Sequence, residues 1–139
     1  DERKKPECAV DNICIAWPSI INCMDKEISV FSGAKALDFG CGGGLFCRKL
    51  SQLGFEVTGY DESDELVKAA QLNTHNKIAI TNSNATVAQN GKYDLISSIM
   101  VFPFVVEIRA TISNLISVLK PNGLIAFAAF NPQFSRQLE

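Results

Sequence analysis

Two carboxylates and a run of glycines carry the chemistry of this chain. Asp38 stands near the end of a short apolar segment, Ala36 to Phe39, and Gly40, Gly42, Gly43 and Gly44 crowd the residues that follow. An amphipathic run, Leu45 to Leu53, comes next. Strand, glycine turn and helix together bring bare backbone against a nucleotide-like ligand. A Cβ there would hold the ligand off, and tight turns often require positive φ. Asp61 ends a second apolar segment, 21 residues after Gly40. A carboxylate in that place can accept a pair of hydrogen bonds from ribose hydroxyls. The other carboxylate, Asp38, narrows the ligand further, because pyrophosphate beside it would be repelled.

The elements that position these groups alternate between strand and helix. Apolar positions from Ile13 to Ile28, interrupted by Pro18, predict one or two helices before Ser32-Gly33. Strands are expected at Ala36–Phe39, Phe55–Tyr60, Lys77–Thr81, Tyr93–Met100 and Leu124–Phe130. Ser63 can cap a helix running to Asn73, with Asp64 and Glu65 in its first turn. Residues 82–91 read as a polar loop. Val105, Ile108, Ile112, Leu115, Ile116 and Leu119 share one helical face, and Pro121-Asn122-Gly123 reads as a turn. This alternation implies an α/β parallel sheet with right-handed crossovers. The last strand is apolar on both faces, which is a liability at a sheet edge. Further strands, or a second copy of the chain, are therefore expected to cover it.

Bulk properties exclude several classes. The 139 residues suit one domain, with a helical segment over 1–33 and a nucleotide-binding core over 34–130. A composition 47% hydrophobic and 20% charged can bury a core. Net charge is −2, and the densest basic stretch is Arg3-Lys4-Lys5 in a polar segment over 1–12 expected to be loose. That argues against nucleic acid as a partner. No apolar run approaches the ~18 residues of a membrane span. The five cysteines are odd in number and form no C-x-x-C pair, which disfavours a disulfide framework or a zinc site. They read as free, mostly buried thiols of a cytoplasmic protein. Cys41 as a nucleophile would lack a base nearby in sequence, since His75 is the only histidine.

From Asp38 to Gly44 the chain resembles the class I S-adenosylmethionine-dependent methyltransferases, whose first motif stands here as A-L-D-F-G-C-G-G-G. The resemblance continues at E-V-T-G-Y-D-E-S (56–63), Y-D-L-I-S-S (93–98) and L-K-P-N-G-L-I-A-F (119–127). It implies a Rossmann-like doubly wound sheet, order 3-2-1-4-5, with helices on both faces and the family's last strands missing. It also implies S-adenosylmethionine as cofactor and methyl transfer to the O, N or C atom of a small molecule.

The family's roles carry over residue by residue. Asp38 would orient the methionine portion, partly through water. Gly40, Cys41 and Gly42 would line the cofactor through their backbone, and Asp61 would bind the ribose hydroxyls. Glu62 departs from the apolar residue that many members place against the adenine, although it can join the ribose hydrogen bonding. After the third strand the family usually has an acidic residue for the adenine amino group; here Asn82, Ser83 and Asn84 offer weaker acceptors. Backbone carbonyls near Ser98 and Ile99 would face the methionine amino group. No metal is called for. Phe102 and Phe104 stand where the family often shapes its substrate pocket, and can equally be core. Trp17 reads as packing rather than a lid. An asparagine-proline-proline-aromatic signature is absent at Ser97–Met100, which favours a small-molecule acceptor over nucleic acid. Two rival readings are a non-catalytic cofactor-binding module and an NAD-dependent oxidoreductase. The second would want glycine at Leu45.

Overall fold

Strand β1 (Lys35–Phe39) is central because its middle residues Ala36, Leu37 and Asp38 are all buried. Only an element flanked on both edges and both faces can take such a run. In this computed structural model, which describes residues 12–129, β1 pairs in parallel with β2 (Glu56–Tyr60) and with β4 (Tyr93–Ile99). β3 (Ala79–Thr81) adds to β2 and β5 (Leu119–Ala128) adds to β4, again in parallel. The order is β3-β2-β1-β4-β5, as the resemblance implied. Most of the loose segment expected over 1–12 lies outside the described residues, and so does Phe130.

Helices cover both faces. A π-helical turn (Asn12–Ala16) leads into α1 (Trp17–Glu27), where Pro18 sits in the first turn and no helical N–H is lost. With α2 (Leu45–Gln52) and α3 (Asp64–Asn73), α1 covers one face. Ile20, Met24, Phe46, Leu50, Val67 and Ala70 meet Ala36, Val57, Ile80 and Leu95 there. Trp17 packs against Phe46 with ring centroids 5.2 Å apart, which settles its role as packing. The opposite face is thinner. Leu37, Tyr93 and Ile96 meet Val87 of α4 (Asn84–Gln89) and Leu115 of α5 (Ile108–Ser117).

The structure corrects three expectations. The polar loop at 82–91 contains α4, because Ser83 accepts the Thr86 N–H at 3.3 Å and caps a short helix. The apolar stripe of α5 is largely open: Leu115 is 5% exposed, whereas Ile108 and Ile116 are exposed. The Pro121-Asn122-Gly123 turn lies inside β5. Pairing jumps from Tyr93↔Leu119 to Leu95↔Leu124, so residues 120–123 bulge from the ladder, and Asn122 has φ +64°.

The thin face depends on one buried polar contact. Tyr93 is 1% exposed and its hydroxyl donates to Val87 O at 2.8 Å, tying β4 to α4. Tyr93→Phe leaves that carbonyl unpaired and is expected to destabilise the fold by about 1–2 kcal/mol. Urea denaturation checks this; an unchanged midpoint would show that the contact contributes nothing.

Candidate functional site

The carboxyl ends of β1, β2 and β4 open onto a groove of about 970 Å³. It lies at the point where strand order reverses, between β1 and β4, which is where open α/β sheets receive ligands. A smaller hollow of about 510 Å³ lies at the amino ends of β1, β2 and β3, away from the glycine turn.

The glycine turn is held from below by β2. Gly40 and Cys41 both donate their N–H to Tyr60 O, at 2.7 and 2.8 Å. Gly40 has φ +77°, and a Cβ there would stand 2.2 Å from Val101 Cγ2. Gly42 has φ +52° with nothing within 4 Å of its Cβ position, so here the backbone borders open groove. Asn73 Nδ2 donates to Gly43 O at 2.8 Å and fixes the far side of the turn.

Asp61 forms part of the groove wall. Its Oδ2 accepts the Gly42 N–H at 2.9 Å and its Oδ1 accepts the Ser63 N–H at 3.0 Å. Each oxygen keeps further acceptor capacity, and the carboxylate borders the groove while being 8% exposed. One side chain thus shapes the turn and presents a fixed anion to whatever fills it.

Asp38 is placed differently. It is 3% exposed and does not border the groove. Ser97 Oγ donates to its Oδ1 at 2.8 Å, and the Cys47 thiol lies 3.6 Å from its Oδ2. Burial raises its pKa from 3.8 to about 6, against the lowering effect of those two donors, and the Asp61 charge adds to the rise. The carboxylate sits behind the tip of β1, away from the groove lining.

The other expected residues divide. Gly40, Gly42, Glu62, Asn84 and Ile99 border the groove together with Asp61. Cys41 is buried, with its thiol 3.8 Å from Gly42 O. Asn82 is engaged with Asp64, and Ser83 caps α4. The Ser98 hydroxyl is buried without a partner among the described residues. Phe102 and Phe104 take one role each. Phe102 packs on Phe127, with centroids 5.0 Å apart, while Phe104 is 84% exposed and lines the groove.

Sequence reasoning missed much of the groove lining, including Phe39, Tyr60, Met100 and Val101. Phe39 and Tyr60 stack at 5.2 Å with planes 2° apart, because they are register partners on neighbouring parallel strands. Their aromatic type at matched strand ends was a usable signal. The Tyr60 phenol is raised by burial and by the Glu62 and Asp61 charges, against a hydrogen bond with Asn84. Met100 holds φ +61°, an uncommon backbone for its type, and Val101 closes on Gly40. Nothing local in the sequence marks those two.

The doubly wound sheet with a glycine turn and a strand-end carboxylate defines a class that comparison makes specific. Residues 23–139 match the family described as a methyltransferase domain, and the chain belongs to that family. It is 32% identical over 110 residues to a ubiquinone biosynthesis O-methyltransferase of Bradyrhizobium diazoefficiens, covering 76% of this chain and 44% of that protein. A Bartonella bacilliformis protein of the same name is 31% identical over 129 residues, with 87% and 49% covered. The chain therefore spans about half the length of the curated relatives it matches. Among solved structures, a magnesium protoporphyrin IX methyltransferase from Synechocystis PCC 6803 with bound S-adenosylhomocysteine is 28% identical. Its TM-score is 0.63, with 74% of this chain and 50% of that one covered. An S-adenosylmethionine-dependent methyltransferase from Mesorhizobium loti shares the fold at TM-score 0.66 and 21% identity, covering 80% and 53%. No helix among the described residues is long and apolar enough to cross a membrane.

Proposed function

We propose that this chain is one S-adenosylmethionine-binding domain that serves methyl transfer to an O, N or C atom of a small molecule. The observation that carries the reading is Asp61, pinned by Gly42 and Ser63 with acceptor capacity left over, beside the open backbone of Gly42. The cofactor supplies a methyl group already activated on a sulfonium. The protein's part is to bind, orient and exclude water. Asp61 would accept the ribose hydroxyls, with Glu62 beside it. Gly40 and Gly42 would let the main chain approach, and Ile99 would border the methionine end. The Asn84 side chain would take the adenine end, next to the Phe39–Tyr60 stack. Cys41, Asn82, Ser83 and Ser98 would act through backbone or positioning alone. Asp38 would favour the cofactor's cationic end from behind β1. The free thiols among the described residues support a reducing, cytoplasmic setting.

Thermal-shift measurements with S-adenosylhomocysteine and with NAD test this directly; stabilisation by NAD alone would end the reading. A second reading, cofactor binding without transfer by this chain, is favoured by its match to only about half the length of those relatives. The edge of β5, where Phe127 is 57% exposed, would then be covered by additional chain or by a second copy. Turnover of a panel of small phenols, amines and carbon nucleophiles by these 139 residues separates the two. For the acceptor side, Phe104→Ala is expected to raise KM for an aromatic acceptor several-fold, with folding stability unchanged because the ring is exposed. Equal KM in both proteins would place the acceptor elsewhere.

A further inference from the structure

The two buried thiols among the described residues, Cys41 and Cys47, converge beneath the glycine turn. Gly59 lies in the middle of β2, where a side chain would ordinarily help packing. A Cβ built on it would stand 2.9 Å from Cys47 Sγ and 3.1 Å from Cys41 Sγ. Both sulfurs, with Ile80 Cδ1 at 2.6 Å, therefore fill the space that a side chain at 59 would take. Both sulfurs lie within 3.1 Å of one point; the Cys41 neighbour and burial push the Cys47 thiol well above its ordinary range, so it keeps its proton until it meets an electrophilic sulfur. Cys41 stands between Gly40 and Gly42, both of which border the groove; Cys47 is in α2 and faces Asp38. The remaining described cysteines, Cys14 and Cys23, are exposed.

We propose that Cys41 and Cys47 form a redox-modifiable pair that a small hydroperoxide closes reversibly into a disulfide. Cys41, which stands in the turn, reacts first. Its sulfur forms an S–O bond as the peroxide O–O bond breaks, and the thiol proton leaves with the departing alcohol or water. Cys47 sulfur then attacks that sulfenic sulfur. The S–S bond forms, the S–O bond breaks, and hydroxide departs with the Cys47 proton as water. Two thiols are oxidised and one peroxide is reduced. Closure brings the sulfurs to the bonded ~2.05 Å. It ties the turn to α2 and removes the thiol facing Asp38. Both effects act on the backbone that borders the groove.

The test uses the full chain with Cys8, Cys14 and Cys23 replaced by serine. Treatment with tert-butyl hydroperoxide is expected to remove two hydrogens from the intact mass and to yield a Cys41–Cys47 cross-linked peptide. Dithiothreitol should restore both thiols. Sulfinic acid at Cys41 beside a free Cys47, or two unreacted thiols in folded protein, would overturn the proposal. Because it also rests on the cofactor reading for its consequence, S-adenosylhomocysteine affinity is measured in both redox states by calorimetry. A reversible weakening of about tenfold on oxidation is expected. A reduced protein that binds nothing would count against the cofactor reading, while the mass and peptide results still decide the pair. Cys47→Ala, checked by circular dichroism for folding, should lose the cross-link and stop at the sulfenic or sulfinic acid.

Discussion

Asp61→Ala is expected to weaken S-adenosylhomocysteine binding more than a hundredfold. Hydrogen bonds to a charged group contribute about 1.5–3 kcal/mol each. Two ribose hydroxyls therefore account for at least about 3 kcal/mol, at 1.4 kcal/mol per factor of ten. The substitution also releases Gly42 and Ser63, whose N–H groups both bond to this carboxylate, so the turn loses its preorganised shape. Asp61→Asn removes the charge while keeping one of the two turn contacts. Its amide oxygen can still accept one of the N–H groups, but its NH₂ faces the other, so affinity should fall by a similar factor while circular dichroism stays native. Calorimetry on both variants reads the result. Affinity within threefold of the parent in the asparagine variant would remove Asp61 from the cofactor site.

Asp38→Asn is expected to make the fold more stable at neutral pH while making it a poorer binder. The carboxyl has a pKa of about 6 in the folded chain against an ordinary 3.8, chiefly because burial disfavours its charge. An acid whose folded value is raised binds its proton more tightly when folded. Its contribution is therefore fully present below pH ~4 and is lost as pH rises through about 6. At 1.36 kcal/mol per pKa unit the loss is about 3 kcal/mol at neutral pH. Asparagine carries no charge to desolvate and can still accept the Ser97 hydroxyl. Denaturant midpoints from pH 4 to 8 should fall for the parent between pH 4 and 6 and should lack that fall in the variant. If the two proteins show the same slope, the Asp38 charge is not held in a dry site. In the proposed function the same charge favours the α-ammonium group that S-adenosylmethionine and S-adenosylhomocysteine share, so the variant should bind S-adenosylhomocysteine less tightly. The price of the site would then be read directly as lost stability.

The elements on the well-covered face were legible because their signals are local. The Ser63 cap, the glycines of the turn and the apolar runs of β1 and β2 each need only their neighbours in sequence to be understood. The short helix α4 was not, because six residues with one buried side chain, Val87, carry no periodicity; only the Ser83 cap marked it. The stripe of α5 was read correctly as helical, yet pattern alone could not tell that a single residue, Leu115, would be buried. Burial depends on what lies opposite, and the thin second face offers little.

Among the site residues the division follows the same rule. That Asp61, Gly40 and Gly42 belong to one ligand site followed from residue type, order and spacing, since a strand end and the turn after it are adjacent in any parallel sheet. The different fates of Asp38 and Asp61 did not. Both close a strand, but Asp38 lies behind β1 against Ser97 and Cys47, whereas Asp61 borders the groove. Side-chain direction along a strand alternates, and what each face meets is decided by helices distant in sequence. The convergence of Cys41 and Cys47 over Gly59 likewise exists only once β2 passes beneath the turn. The sequence alone thus determined the order of elements and the anion beside a glycine turn, because these are short-range properties. Tertiary packing alone decided which acid borders the groove, which is sealed behind β1 and which thiols converge, because those depend on contacts between segments far apart in the chain.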